Sequence, residues 1–175
     1  MEGTSGNDEG RGLAVHPSTG DVYVTGYAAG ALHGQPYVGS IDVILMKYAS
    51  NGTRVWTRME GTSGNDVGYG VAVHPSSGDV YVTGYTLAAL HGQPYVGLND
   101  IILMKYASNG TRVWTRMAGT SGDDVGWGVA VDANAALVYV TGQVGAGIHG
   151  EVYAGALDVV SICYTNLIIP TLSPS

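Results

Sequence analysis

Three copies of one 58-residue unit fill this chain, and that repetition limits the folds open to it more than any other feature. Met1-Glu2-Gly3-Thr4-Ser5-Gly6-Asn7-Asp8 returns from Met59 to Asp66, and again as Met117-Ala118-Gly119-Thr120-Ser121-Gly122-Asp123-Asp124. The units divide the chain as 1–58, 59–116 and 117–175, and the first two differ at only ten positions. Units this alike adopt one supersecondary structure and bury their apolar faces against their own copies. One repeat domain of three units is therefore expected.

Within the first unit, four short runs read as strands. Gly12-Leu13-Ala14-Val15-His16 is short and apolar, as expected of a strand buried on both faces, Asp21 to Tyr27 alternates β-branched and aromatic residues, Asp42 to Tyr48 is a third apolar run, and Thr53 to Arg58 alternates polar with apolar. His16 to Asp21 is a turn, and Ala49 to Thr53 carries Asn51-Gly52, a hairpin signal. The 28 glycines fit a chain rich in tight turns. Twelve Tyr and three Trp, with no Phe, suit half-buried sheet positions where a ring packs and its polar tip finds a partner. No helical periodicity competes with this pattern.

The expected class is all-β, built as a partial β-propeller of three four-stranded antiparallel blades. The order Gly-x-Gly-x-Ala-Val, Gly-Asp-Val-Tyr-Val-Thr-Gly-Tyr, Asp-x-Ile-Leu-Met-Lys-Tyr and Asn-Gly-Thr-x-x-Trp resembles the seven-bladed β-propeller repeat (SBBP repeat) family. It is carried here by Gly10–Val15, Gly20–Tyr27, Asp42–Tyr48 and Asn51–Trp56, and again by Gly68–Val73, Gly78–Tyr85, Asp100–Tyr106 and Asn109–Trp114. The resemblance implies a fold more than an activity, and an extracellular setting. Three units do not close a propeller ring of four to eight blades. Two copies of the chain, or further blades of a longer parent chain, would be needed. A β-trefoil or β-prism, which closes with three units, is the alternative.

The third unit departs from the other two. Leu167 to Leu172 replaces the Asn-Gly-Thr-Arg-Val-Trp ending, Cys163 stands for Lys47 and Lys105, Asp132 for His16 and His74, and Ala136 for the turn glycine. Pro170 and Pro174 suit a terminal edge. Met1 aligns with internal positions of the repeat, which reads as a cut inside a longer array, and no signal peptide opens the sequence.

Bulk composition excludes several classes of partner. With 45% hydrophobic and 12% charged residues, the chain can build a core. Its net charge is −7, and its seven basic residues are scattered, so no basic surface is available for nucleic acid or an anionic membrane. No run approaches the ~20 apolar residues of a membrane-spanning helix. The single cysteine, Cys163, forbids an internal disulfide and reads as a small buried hydrophobe.

In an up-and-down four-stranded unit, the loop before strand one and the loop between strands two and three share one face. Here those are the long loops, Glu2 to Gly10 and Ala28 to Ile41 with their equivalents, where function is expected. Asp8, Asp66 and Asp124, with Asp42, Asp100 and Asp158, are oxygen donors suited to Ca²⁺, although no EF-hand spacing accompanies them and loop-fixing hydrogen bonds are the competing reading. His33, His91 and His149 recur on separate units, too far apart for one metal ion. With Tyr37, Tyr95 and Tyr153 they form a contact surface that can stack on sugars or peptides. Arg11, Tyr69 and Trp127 share one variable position near the start of strand one, a further candidate for binding. Asn51-Gly52-Thr53 and Asn109-Gly110-Thr111 match the N-glycosylation sequon as well as a plain hairpin turn. No nucleophile, base and orienting group assemble. The functional expectation is a non-enzymatic scaffold presenting loops to a protein or glycan partner. A purely structural repeat is the alternative, and a hydrolase or lyase is the remote one.

Overall fold

A computed structural model describes residues 2–134, 137–147 and 158–165. Its regular elements are all strands, in three antiparallel sheets that follow chain order. The first sheet holds β1 (Glu9–Val15), β2 (Val22–Ala28), β3 (Asp42–Tyr48) and β4 (Arg54–Glu60). The second holds β5 (Asp66–Val73), β6 (Val80–Thr86), β7 (Asp100–Tyr106) and β8 (Arg112–Ala118). The third holds β9 (Val125–Val131), β10 (Leu137–Val144) and β11 (Asp158–Thr165). Within each sheet every strand pairs with the next in sequence, so local hairpins build all three. The sequence period and the sheets do not share boundaries. Met59 and Glu60 finish β4, and Met117 and Ala118 finish β8, so the unit limits at 58 and 116 fall inside strands.

Tight turns close the outer ends. His16 does the work of an Asx residue: its Nδ1 accepts the Ser18 and Thr19 amides at 3.3 and 3.2 Å. Asp132 takes the same role in the third sheet, its Oδ1 accepting the Asn134 amide at 2.7 Å, which explains the His-to-Asp exchange. The Lys-to-Cys exchange is paired with another. Lys47 meets Asp21 at 2.9 Å and Lys105 meets Asp79 at 2.8 Å, whereas the third sheet has Cys163 and Leu137 at these positions and loses both charges together. Cys163 is exposed rather than buried as expected, because it lies on the front of the third sheet, which no further described sheet covers. The counterpart of the fourth strand, with Ala136, Leu167 to Leu172, Pro170 and Pro174, lies outside the described residues.

Alternation decides how the sheets stack. Tyr23, Val43, Leu45 and Trp56 leave the front of the first sheet and pack on Val71, Val80, Val82, Ile102, Met104 and Tyr106 at the back of the second. Tyr81, Ile101 and Leu103 repeat the arrangement against Val138, Val140 and Ile162 of the third. Each such side chain, once buried, stabilises the fold by about 1.5–3 kcal/mol. Glycine sets the spacing. A Cβ on Gly68 would overlap Thr25 Oγ1, which itself donates to the Ile44 carbonyl at 2.8 Å; Gly126 stands in the same relation to Thr83. The outer strands are tied across as well: Trp56 Nε1 donates to the Ser108 carbonyl at 3.3 Å and Arg58 Nε to the Gly110 carbonyl at 2.6 Å. The first strands β1, β5 and β9 run side by side along one margin of the stack. Among the described residues the first sheet packs on the second and the second on the third, with no comparable packing of the first on the third, so the stack is open.

Candidate functional site

The two long loops of the first and second units do emerge together, and the recurrent aspartates hold their near ends, in the third unit as well. Asp66, wholly buried, accepts the Thr62 amide at 2.6 Å, the Thr62 hydroxyl at 3.0 Å and the Thr86 hydroxyl. Asp8 accepts the Thr4 amide, the Thr4 hydroxyl at 2.9 Å and the Ala29 amide at 3.1 Å. Asp124 takes the Thr120 amide at 2.6 Å and the Gly145 amide at 3.1 Å. These are loop clamps joining the segment before the first strand to the segment after the second.

The second aspartate set sits on the seams between sheets. Backbone bonds from Ser40 to Gly64 (3.3 Å) and from Asp66 to Ile41 (2.9 Å) zip the first loop to the entry of the second sheet. Asp42 is thereby buried beside Asp66, and Asp100 beside Asp124. One oxygen of Asp42 accepts the Val38 amide at 2.7 Å, and one of Asp100 the Val96 amide at 2.8 Å; each Oδ1 is buried without a hydrogen-bond partner. Burial, reinforced by the neighbouring carboxylate, pushes both acids up to about 6. Asp158 opens β11 opposite Val144, and its side chain lies outside the described residues. No group of three or more His, Cys, Asp or Glu gathers as a metal-ligand set among the described residues.

His33 and His91 have φ of 52° and 53° and are each followed by a glycine, Gly34 and Gly92, with φ of 74° and 75°. Two successive left-handed residues make a type I′ turn, closed by Gln35 to Leu32 and Gln93 to Leu90 bonds of 3.0 Å. The turn aims the imidazole inward. His91 Nδ1 lies 2.8 Å from Thr115 Oγ1 and Nε2 2.8 Å from Glu60, while His33 contacts Thr57 at 2.8 Å and Glu2 at 3.7 Å. Carboxylate, imidazole and hydroxyl in series have the order of an acyl-transfer triad. The hydroxyls, however, are buried, Thr57 at 3% and Thr115 at 7% exposure, and a nucleophile must reach substrate. Tyr37 folds back to donate to the Ser40 carbonyl at 2.6 Å, and Tyr95 likewise to Leu98. His149 and Tyr153 lie outside the described residues.

The remaining candidate position is different in kind. Register slips at Gly10/Gly12, at Gly68/Gly70 and opposite Thr141/Gly142 leave Arg11, Tyr69 and Trp127 as the extra residue of a β-bulge in each first strand. A bulge re-aims its side chain off the pleat. All three then fall in one column along the margin of the stack. The Arg11 guanidinium lies 4.9 Å from the Tyr69 ring centre, and the Tyr69 ring 4.4 Å from that of Trp127. Tyr27 flanks Arg11 at 5.5 Å and Tyr85 flanks Tyr69 at 6.1 Å. Polar groups alternate with the rings: Glu9 bonds Arg11 at 2.8 Å and Tyr27 at 3.0 Å, and Gln143 accepts from Trp127 Nε1 at 3.2 Å. Trp127 remains 46% exposed. At its Arg11 end the column opens onto a shallow groove of about 680 Å³ bordered by Glu2, Thr4, Asn7, Asp8, Glu9 and Tyr27.

Sequence reading marked the variable position but not its flanks Glu9, Tyr27, Tyr85 and Gln143. The Gly-x-Gly frame around Arg11 and Tyr69 was the available signal of a bulge. Set against protein-family models the chain matches none, and a search of curated proteins finds no match.

Proposed function

We propose that this chain is a non-enzymatic repeat scaffold of propeller-blade type that binds a glycan along the Arg11–Tyr69–Trp127 column. The single observation that carries the reading is the bulge in each of the three first strands, which turns otherwise equivalent residues into one continuous cation–aromatic ladder. The exposed Trp127 and the half-buried Tyr69 and Tyr27, with Glu9 and Gln143 bonded beside them, suit a polyhydroxylated ligand: a ring covers the apolar side of a sugar and the polar groups bond its hydroxyls. The blade reading is supported by four sequential strands in each of the first two sheets and by first strands gathered at one margin. The absence of a catalytic role is supported by the burial of the threonines beside His33 and His91. A protein partner is the second reading, because Arg, Tyr and Trp are the residues that dominate protein-binding hot spots.

A glycan array probed with the purified chain tests the proposal. Binding is expected, with quenching of the exposed Trp127 emission on titration of the bound oligosaccharide. Retention of full affinity in Trp127→Ala and Tyr69→Ala chains, or no bound glycan at all, would sink it; protein capture with an empty array favours the second reading.

A further inference from the structure

The internal seams of the stack show which surface each sheet requires, and the two ends lack it. At the front of the first and second sheets, Tyr23 and Tyr81 are 1% and 0% exposed; their counterpart Tyr139, at the front of the third, is 40% exposed. Thr25 and Thr83 are wholly buried while Thr141 is exposed. The back of the stack shows the reverse. Val71 is 9% exposed in the second sheet, whereas Leu13, at the same position in the first, is 65% exposed and Val15 is 52% exposed. Among the described residues the stack thus presents one bare front and one bare back, the two halves of an interface it already makes twice.

We propose that the bare front of the third sheet seats on the bare back of the first sheet of a second copy of this chain, repeating the internal seam head to tail. Continuity with that seam supports the choice of occupant. The back residues of the first sheet, Leu13, Val15, Val22 and Val24, are aliphatic like Val71, Val73, Val80 and Val82, which bury Tyr23 and its neighbours at the first seam. Glu2 already bonds Tyr48 and Arg54 on the first sheet as Glu60, from β4, bonds Tyr106 and Arg112 on the second. The exchange of Lys for Cys163 and of Asp for Leu137 makes the terminal front more apolar than the internal ones. Because each copy offers one of each face, a pair uses both without a like-to-like contact.

Light scattering on a sizing column, at tens of micromolar, gives the first readout. Twice the 18.0 kDa chain mass is expected, returning to the single-chain mass in Leu13→Glu and Tyr139→Glu variants. Both residues are exposed, so unchanged circular dichroism should confirm that each variant folds. The second readout uses Cys163. At the first seam Lys47 and Ser76 border one cavity, so in the proposed pair Cys163, at the Lys47 position, faces Ser18, at the Ser76 position. A short bifunctional thiol reagent should therefore join two chains of a Ser18→Cys variant and not two chains that also carry Cys163→Ser. A single-chain mass for the unsubstituted protein overturns the proposal. So does an assembly indifferent to both glutamates, or cross-linking of the unsubstituted chain through two Cys163 residues, which would put like faces together.

Discussion

Raising the pH from about 5 to about 7.5 is expected to weaken this fold, and the seam aspartates set the size of the loss. Asp42 and Asp100 sit at about 6 in the folded chain against an ordinary 3.8. The fold therefore holds a proton that the unfolded chain releases, and stability falls as pH rises through the folded value. With about 1.4 kcal/mol for each unit of difference, the full effect is about 3 kcal/mol for each acid. Close to half of it, about 1.4 kcal/mol each and roughly 3 kcal/mol for the pair, is lost between those two pH values. Asp66, also pushed up by burial, acts in the same direction. Glu2, held below the usual range chiefly by the Tyr48 hydroxyl, loses its contribution only as pH falls below about 4, outside the window. Urea unfolding with linear extrapolation at each pH measures the slope. An Asp42→Asn, Asp100→Asn chain keeps an acceptor for the Val38 and Val96 amides, so it should lose about 3 kcal/mol less than the parent over the same interval. Equal slopes in the two proteins would refute the buried, proton-holding seam.

Other substitutions read the remaining parts. Gly68→Ala forces a methyl against Thr25 at the first seam and should cost about 1–3 kcal/mol, while Gly34→Ala, where the added methyl meets nothing within 4 Å, costs only the strain of its positive φ; thermal denaturation compares them. Asp66→Ala leaves the Thr62 amide and the Thr62 and Thr86 hydroxyls without their acceptor and should cost about 3–5 kcal/mol by chemical denaturation, far more than a surface aspartate. Trp127→Ala should change stability by less than about 1 kcal/mol while abolishing glycan binding, because the ring is exposed and packs on Tyr69 rather than in the core. His91→Ala unlinks Glu60 from Thr115 and should cost about 1–2 kcal/mol, with a loss of hydrogen-exchange protection at the loop before β7.

Much of this architecture could be read from residue order, because the units are copies and hairpin pairing is local. Asn51-Gly52 and the His16 turn each announced a reversal, and the alternation over Asp21 to Tyr27 announced a strand. The short apolar run Gly12 to His16, expected to be buried on both faces, instead leaves Leu13 and Val15 65% and 52% exposed, because no sheet among the described residues packs on the back of the first. The ends of β4 and β8 were not legible: Met59-Glu60 belongs in sequence to the next unit, and only pairing with Val43 and Ile44 places it in the first sheet. The role of Asp42 was also hidden. A carboxylate before a strand reads as a loop cap or an ion ligand, and the decisive fact, its burial beside Asp66, depends on a neighbour twenty-four positions away. The column at Arg11 was half legible. Variation at one repeat position marked it as free of the core, but that three such residues touch one another follows from the bulges and the close stacking of sheets, neither of which a single strand reveals.

The ties from β4 to the turn of the neighbouring sheet have a consequence for the history of such a gene. Trp56 reaches Ser108 and Arg58 reaches Gly110, each fifty-two positions on, so each binding group in the first 58-residue unit finds its target in the second. An unequal crossover that adds one whole 58-residue copy beside these two units therefore leaves the first unit's donors with matching acceptors in the unit that follows. Segment number can drift between descendants while the contact chemistry between adjacent segments stays under unbroken selection.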